Sequence, residues 1–242
     1  MVDRPRYCRP CGAIVCAMCG RYATTRSADD LAKLFAAFDE TDGALAPDYN
    51  LAPTDPAPIV RVSESRADRV VSVARWGLLP VWADNPRVGA RMINARSETV
   101  ATAKAYAVPF KEKRCLVPAD GWFEWATIDG RKHPHFMTLP EGFAFAGLWT
   151  AGRFGLSCSI ITTPAVGDLT RIHDRMPLLL EPDRWAEWLT APAHEALLAP
   201  PPLDYVASIE IRPVGPAVGN VRNDGPELIT RADADDQQES LF

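Results

Sequence analysis

The chain has 242 residues, a formal net charge of −5, 47% hydrophobic residues and 24% charged residues. This balance is typical of a folded globular protein, and a chain of this length can bury a core without disulfide or metal staples. No run of about 18 apolar residues occurs, which excludes a transmembrane helix. The apolar stretch from Gly12 to Ala17 is shorter than the roughly 7–15 residues of a signal-peptide core. We therefore predict a cytoplasmic protein without membrane contacts.

The cysteines cluster at the N-terminus, with Cys8, Cys11, Cys16 and Cys19 in a C-x2-C-x4-C-x2-C pattern. Four thiolates can hold zinc, but zinc ribbons separate their two halves by a longer connection. We therefore predict no metal and no cofactor. Residues 1–17 show no periodicity and are interpreted as a leader, either a mis-assigned start or a removed segment.

The first half of the chain mixes helix and strand signals. Ser27 followed by Asp30 predicts a capped helix, with Leu31, Leu34, Phe35 and Phe38 at helical spacing. Residues 46–58 are rich in Pro and Asp and predict a loop. Alternation then predicts strands at 59–62 and 70–76, and the Ala-rich segment 97–106 predicts a short helix.

The second half is dominated by short strands, predicted at 115–117, 121–126, 134–139, 143–149, 157–163 and 206–211. Asp129-Gly130 is a hairpin-turn dipeptide. Helices are predicted after Pro182 and after His194. Because βαβ alternation is absent from the pattern, we expect an α+β fold, mainly antiparallel β with a few flanking helices. It would form one compact domain over residues 18–230, with a disordered acidic tail at 231–242.

Several polar residues lie in unusual surroundings. Glu124 is set among Trp122, Phe123 and Trp125 on a predicted strand, and alternation places Glu124 and Trp122 on one face. Desolvation there would raise the carboxyl pKa toward values suited to proton transfer. A surface glutamate whose aromatic neighbours merely pack together is an equally good interpretation of the pattern.

His173 lies between residues of opposite charge in Ile172-His173-Asp174-Arg175, and histidine is suited to proton transfer near neutral pH. A structural hydrogen bond is the alternative. In an extended segment, Asn94 and Arg96 would share a face and could bind phosphate oxygens. A helix cap followed by a surface arginine explains this pair equally well.

Seven short motifs occur in a fixed order along the chain. They are Met18-Cys19-Gly20-Arg21-Tyr22, Tyr49-Asn50-Leu51-Ala52-Pro53-Thr54, Arg75-Trp76-Gly77-Leu78-Leu79-Pro80, Ile93-Asn94-Ala95-Arg96-Ser97-Glu98-Thr99, Pro118-Ala119-Asp120-Gly121-Trp122-Phe123-Glu124-Trp125, Ile172-His173-Asp174-Arg175-Met176-Pro177 and Ala217-Val218-Gly219-Asn220. From Met18 to about Thr230 the chain thereby resembles the SOS response-associated peptidase (SRAP) family of abasic-site processing proteins.

The resemblance implies that Cys19 becomes the first residue of the mature protein. An N-terminal cysteine carries both a free α-amine and a thiol. The amine can condense with the aldehyde of a ring-opened abasic site in single-stranded DNA, and the thiol can then close a thiazolidine. The pKa of an α-amine is about 7.7–8.0, so part of it is neutral at pH 7.

The resemblance also implies roles for other residues. Glu124 would shuttle protons, His173 would assist opening of the sugar ring, and Asn94 would hold the amine or a nearby phosphate. The implied phosphate contacts are Arg21, Arg96 and Arg175, and the implied contacts with flanking bases are Pro53, Trp76 and Trp125.

Seventeen residues precede Met18, which departs from the family pattern. Translation either starts at Met18, or the leader is removed by self-processing with Cys19 as the nucleophile. Two other functions fit the residue types: a thiol peptidase using Cys19, His173 and Asn94, and a non-catalytic binder of single-stranded DNA. We expect a monomer that requires no protein partner.

Overall fold

The computed structural model describes residues 20–232. Its strands are β1 (Tyr22–Thr24), β2 (Phe38–Asp39), β3 (Asp48–Leu51), β4 (Pro56–Val62), β5 (Arg69–Trp76), β6 (Asn94–Arg96), β7 (Arg114–Ile128), β8 (Arg131–Gly152), β9 (Gly155–Pro164), β10 (Arg175–Pro177), β11 (Leu179–Leu180) and β12 (Glu210–Pro213). The α-helices are α1 (Ala28–Phe35), α2 (Ala107–Glu112), α3 (Trp185–Thr190) and α4 (Leu203–Ala207). Short 3-10 helices cover Pro86–Arg91, Gly167–Arg171, Pro182–Arg184, Glu195–Leu198, Pro216–Gly219 and Pro226–Ile229. Within residues 20–232, no helix is both long and apolar enough to cross a membrane.

Five strands close into a ring. β8 pairs with β9, β9 with β5, β5 with β4, β4 with β7, and β7 again with β8. The β5–β9 pairing is parallel and the other four are antiparallel. β1 extends the ring by pairing with β7, and β3 pairs with β1. The predicted α+β class, with one mainly antiparallel domain and few helices, is confirmed.

The β7–β8 hairpin is the longest pairing of the sheet. It turns at Asp129 and Gly130, both with positive φ (50° and 76°), as a two-residue type I′ turn requires. Its register changes between Ala119 and Gly121, and the facing part of β8 bends at Gly142, which has φ +76°. Because the hairpin bends there, its two halves contribute to different parts of the molecule.

The buried side chains form two large groups and one small group. One large group contains Tyr22, Trp76, Trp122 and Phe145, and the other packs α1 and α3 onto the sheet through Phe35 and Trp188. The small group joins Phe123 and Phe136 to Val218, with Trp125 at its edge. Trp122 and Phe123 therefore point to opposite faces of β7, and Trp125 follows Phe123, as the alternation predicts.

The helix predicted after Ser27 is confirmed: the Ser27 Oγ accepts the Asp30 amide at 3.1 Å. Its C-terminal limit was wrong, because Ala36 adopts a left-handed conformation with φ 47° and ends the helix. Phe38 consequently lies in β2 and is 53% exposed.

Three other predicted elements differ from the structure. Residues 97–106 form consecutive turns, and the helix starts only at Ala107. Of the predicted 206–211 strand, Val206 and Ala207 end α4, and only Glu210 and Ile211 lie in β12. The predicted 46–58 loop contains β3 and the start of β4. In the 46–58 segment, pairing of β3 with β1 and of β4 with β5 and β7 overrides the local composition.

The leader at 1–17 and most of the predicted tail lie outside the described residues. The two described residues of that tail are paired: Arg231 forms a bridge with Val214, and the Ala232 amide donates to the Pro213 carbonyl at 3.0 Å.

Candidate active site

An open cleft of about 810 Å³ brings together residues from five separate parts of the chain. Glu124, Trp125, Thr127 and Lys132 of the β7–β8 hairpin form one part of its lining. The remaining lining residues are Gly20, Arg21, Pro53, Thr170, Arg171, Ile172, His173, Asp174, Gly219 and Val221. Five of the predicted site residues therefore share one cleft: Arg21, Pro53, Glu124, Trp125 and His173.

The pairing of β1 with β7 places Gly20 beside Glu124. Tyr22 is the register partner of Trp122, and the Phe123 amide donates to the Arg21 carbonyl at 3.0 Å. Continuing this antiparallel register by two residues brings Gly20 level with Glu124. Cys19 itself lies outside the described residues, but the residue bonded to it lines the cleft.

Glu124 is almost completely buried, with 4% of its surface exposed. Its cross-strand partner on β8 is His135, so the two side chains start from the same face of the hairpin. Burial lowers the pKa of the half-buried His135, which favours its neutral form. Glu124 is thus a buried carboxyl, held by the paired β7–β8 hairpin at the lining of the cleft.

His173 follows the 3-10 helix Gly167–Arg171, and its Nδ1 has two neighbours. The Arg175 amide donates to Nδ1 at 3.0 Å, and an Asp174 carboxylate oxygen lies 2.9 Å from the same atom. A neutral ring accepting from Arg175 carries its proton on Nε2, whereas an imidazolium would donate from Nδ1 to Asp174. Nδ1 is therefore held between the Arg175 amide and the Asp174 carboxylate, which fixes the ring orientation at the cleft.

Arg21 and Asn50 tie the start of the fold to its end. Arg21 Nη1 donates to Asn50 Oδ1 at 2.7 Å and to the Val218 carbonyl at 3.0 Å. The Asn50 amide nitrogen lies 2.9–3.3 Å from the carbonyl oxygens of Val218, Asn220 and Asn223. Burial lowers the pKa of Arg21, partly offset by Asp55 and Asp48. Arg21 is therefore also a structural residue of the cleft wall.

Asn50, which is 3% exposed, is a functional residue that the sequence pattern does not indicate. Asn50 belongs to the Tyr49–Thr54 motif. An asparagine between Tyr49 and Leu51, however, does not indicate whether its side chain is exposed on a strand or buried and bonded to a distant segment. Only the return of the Val218–Asn223 segment to this strand reveals it.

Pro53 reaches the cleft from a tight turn. The Asp55 amide donates to the Ala52 carbonyl at 3.1 Å, and the Thr54 amide donates to the Trp76 carbonyl at 2.8 Å. Thr54 has φ 84°, a strained value for a β-branched residue. The turn therefore holds Pro53 at the cleft in a backbone conformation that glycine would adopt more easily.

Two side chains predicted to contact DNA are buried in the structure, which contradicts that role. Trp76 is 0% exposed, and its Nε1 donates to the Ile93 carbonyl at 3.0 Å, so this ring cannot stack on a base. The Arg175 side chain is 8% exposed and bonds both oxygens of Glu98, at 2.6 and 3.0 Å, as well as the Thr162 carbonyl. Its guanidinium is therefore occupied inside the protein and is unavailable to a phosphate.

Asn94 and Arg96 lie on β6, beside Ile160 and Thr162 of β9, and neither is among the residues that line the cleft. Asn94 is half-buried and Arg96 is exposed. Arg96 and Arg175 thus lie on the two strands that flank Thr162. Arg96 remains accessible to a phosphate.

Trp82 is an exposed aromatic residue that was not among the predicted site residues. It is 54% exposed, and the Lys104 ammonium lies 5.4 Å from its ring centroid. A large exposed aromatic ring beside a cation suits contact with nucleic acid bases better than the buried Trp76 does. The signal was available in Pro80-Val81-Trp82, but burial could not be read from it.

Metal ligands and thiols take no part in the described portion of the site. Within residues 20–232, no group of three or more His, Cys, Asp or Glu side chains could hold a metal ion. Cys115 and Cys158 are fully buried in the core, and burial raises the pKa of each thiol, to about 12 for Cys158. The N-terminal cysteines lie outside the described residues.

Comparison with known proteins supports the family resemblance that the motifs indicate. The model of the SOS response associated peptidase (SRAP) family matches residues 18–221. The chain belongs to the SRAP family. The matched segment includes every described residue that lines the cleft.

Relatives in this SRAP family cover nearly the whole chain. The abasic site processing protein YoqW of Bacillus subtilis is 35% identical over 227 residues, covering 88% of this chain and 99% of its own. YedK of Escherichia coli, also named an abasic site processing protein, is 32% identical with the same coverage. The chicken protein HMCES, which has the same descriptive name, is 30% identical and is covered over 77% of its length.

Solved structures confirm the fold. A protein from Bacteroides thetaiotaomicron superposes with a TM-score of 0.77 at 22% identity, covering 89% of this chain and all of its own. A protein from Bordetella bronchiseptica gives a TM-score of 0.68 at 25% identity, covering 81% of this chain and 99% of its own.

Proposed function

We propose that this SRAP protein senses abasic sites in single-stranded DNA and captures them covalently through an N-terminal Cys19. One observation carries the proposal: Gly20 lines the same cleft as Glu124 and His173. A mature Cys19 precedes Gly20 directly. Its α-amine and thiol would therefore lie at the cleft that holds Glu124 and His173, two groups suited to proton transfer.

The proposed reaction proceeds in two steps. The neutral α-amine adds to the aldehyde carbon of the ring-opened sugar, and the carbinolamine loses water to give an imine. The thiol sulfur then adds to the imine carbon while a proton goes to the nitrogen, which closes the five-membered thiazolidine. Glu124 moves protons from the amine and to the departing water. The family resemblance assigns to Asn94, on β6 beside Ile160, the role of holding the amine or a nearby phosphate.

His173 acts before these steps, on the closed form of the sugar. A closed sugar must open before its aldehyde can react. In the imidazolium form, Nδ1–H donates to Asp174 and Nε2–H protonates the sugar ring oxygen as its bond to C1 breaks. The proton of the C1 hydroxyl leaves to water, which gives the aldehyde.

Binding of the DNA strand would rely on charge and apolar contact around the cleft. Arg21, Lys132 and Arg171 supply positive charge at the lining, and Pro53 and Trp125 supply surfaces for flanking bases. Arg96 adds an exposed phosphate contact. Affinity should be independent of sequence and fall steeply with salt.

The mechanism requires Cys19 to be the first residue, because an amide nitrogen cannot form an imine. Removal of Met18 after translation from that codon meets this requirement. Self-cleavage of a leader, with Cys19 as nucleophile, also meets it and would be the peptidase activity of this chain. We propose that the protein acts in the cytoplasm as a monomer.

The deciding experiment compares protein that begins at Cys19 with uncleaved protein that retains Met1. Both are incubated with single-stranded DNA containing one abasic site, and intact masses are followed by peptide mapping. We expect an adduct at Cys19 on the short form only. An adduct elsewhere on the uncleaved form would overturn the proposal, and release of peptides without an adduct would favour the thiol peptidase.

Glu124→Gln isolates the proton-transfer step. It should retain affinity for single-stranded DNA while slowing capture by roughly 10²–10⁴-fold, the usual value of acid–base assistance. The exposed Glu195→Gln, outside the cleft, is the matched control and should capture at the wild-type rate. Equal rates for the two variants would remove Glu124 from the mechanism.

A further inference from the structure

A second cavity, of about 310 Å³, lies between α1, the bend of β8, α3 and α4, and shares no residue with the cleft. Its walls are mainly apolar and aromatic, including Leu139, Phe143, Leu180, Trp185 and Tyr205. This volume is at the lower end of the range of roughly 300–1,000 Å³ that ligand pockets occupy. The proposed capture reaction does not use it.

The cavity lies over a gap in strand pairing. On the edge of β8 that faces it, β12 pairs as far as Thr138 and β11 pairs from Ala144 onward. In the described part of the chain, neither strand pairs with the residues between them, 139–143, which line the cavity. Within this segment Pro140 carries no N–H, and the carbonyls of Leu139 and Glu141 accept from Thr138 and Arg26. The segment still lacks a partner strand, and such an edge is a surface that extended peptides bind.

Acidic groups surround the cavity. Glu141 is part of the lining, and Glu181 lies between the lining residues Leu180 and Pro182. Burial is the largest cause that raises the pKa of the Tyr205 hydroxyl to about 12, and the negative charges of Glu181 and Glu141 add to it. None of the lining residues is a lysine or arginine. The lining therefore disfavours phosphate and favours a cation.

Two arginines beside the lining residues, Arg26 and Arg184, are engaged by other groups. Arg26 pairs with Asp120 at 3.3 Å and donates to the Glu141 carbonyl at 2.6 Å. Arg184 donates at 3.2 Å to the carbonyls of Ala199 and Leu197. Because these guanidinium groups are tied to other partners, they leave the Glu141 and Glu181 carboxylates available to an incoming positive charge.

The aromatic wall is fixed before any ligand arrives. Trp185 Nε1 donates to the Leu180 carbonyl at 3.0 Å, and its ring packs on Phe35 with centroids 4.4 Å apart. The Phe143 ring lies 5.3 Å from that of Trp122. A wall that does not reorganise makes binding less costly, and its aromatic faces attract cations.

We propose that this cavity binds a short extended segment of a partner protein in which an apolar side chain is flanked by lysine or arginine. The apolar side chain enters between Phe143 and Trp185, the basic residues face Glu141 and Glu181, and the segment's backbone lies along residues 139–143 of β8. A protein partner of this kind would not compete for the lining residues of the cleft, because the two sites share no residue.

The test uses three blocked tripeptides with the wild-type protein. Acetyl-Lys-Phe-Lys-amide is the probe, and acetyl-Glu-Phe-Glu-amide and acetyl-Lys-Ala-Lys-amide are the controls for charge and for the apolar side chain. Amide NMR spectra should show shifts at Gly142 and at the Trp185 indole N–H with the probe and much smaller shifts with either control. Equal responses to the acidic and basic peptides would overturn the proposal, as would no response to the probe.

Two further arms test the charge and the nature of the occupant. Glu141→Gln/Glu181→Gln should weaken binding of the probe about three- to tenfold, since exposed ion pairs contribute modestly. Glu195→Gln should not weaken it, and all these variants should capture abasic DNA at the wild-type rate. Phenethylamine binding as tightly as the peptide would assign the cavity to a small amine and overturn the assignment to a protein segment.

Discussion

The ion pair between Glu98 and Arg175 makes a specific prediction about acid stability. Arg175 bonds both oxygens of Glu98, and these bonds are the largest cause that lowers the pKa of Glu98 from 4.5 to about 2. A carboxyl whose pKa is lower in the folded state stabilises the fold when it is ionised. This contribution is complete above pH 4.5 and is lost as the pH falls toward 2.

The pKa values set an upper limit on its magnitude. A difference of about 2.5 between 4.5 and about 2 corresponds to roughly 3.4 kcal/mol at 1.36 kcal/mol per unit. The Glu98 side chain is 47% exposed, so solvent screening reduces this to about 1–2 kcal/mol. Glu98→Gln should lower the free energy of unfolding by that amount at pH 7.

The assay is urea unfolding of wild type and Glu98→Gln at pH 7, 4.5, 3 and 2. The difference between the two proteins should be largest at pH 7 and approach zero near pH 2, because the wild-type carboxyl is then half protonated or more. Glu195→Gln serves as the exposed control, with little difference at any pH. A difference between wild type and Glu98→Gln that does not change with pH would refute an ion-pair origin.

Three further substitutions test the description of the site. Thr54→Gly should raise the free energy of unfolding by about 1 kcal/mol in thermal or urea melts, because glycine adopts φ 84° without strain; lower stability would show that the turn is not strained. Trp76→Phe should cost about 2–3 kcal/mol, since it removes volume and the bond to the Ile93 carbonyl, yet leave DNA affinity of the folded protein unchanged in fluorescence anisotropy. A selective loss of affinity would restore Trp76 as a DNA contact. Gly77→Ala should cost at least about 2 kcal/mol, because a Cβ there would lie 2.5 Å from the Gly89 carbonyl oxygen at φ +123°; a stable variant in the same melts would contradict the close approach.

Local features of the structure could be predicted from the sequence where interactions between neighbouring residues decide them. The Ser27 cap depends on one hydroxyl and an amide three residues away, and the turn at Asp129 and Gly130 depends on two positive φ angles. The opposite orientations of Trp122 and Phe123 follow from the period of a strand. None of these requires knowledge of a distant segment.

The errors arose where burial depends on distant partners. Trp76 and Arg175 stand in motifs full of aromatic and charged residues, and nothing nearby indicates that one is a core residue and the other a buried ion pair. The role of Asn50 depends on carbonyl groups about 170 residues further along the chain. Five of the seven motifs contribute residues to the cleft lining, but the motifs could not assign which side chains face the cleft.

The bond from Arg21 to Val218 spans 197 residues and has a consequence for synthesis of the protein. A ribosome adds about 5–20 residues per second, so Arg21 is made roughly 10–40 s before its partner. During that interval the chain has the N-terminal part of the cleft but not the segment that completes its wall. Contacts of such large sequence separation form late, so a nascent chain should hold its N-terminal strand for many seconds before the cleft is complete.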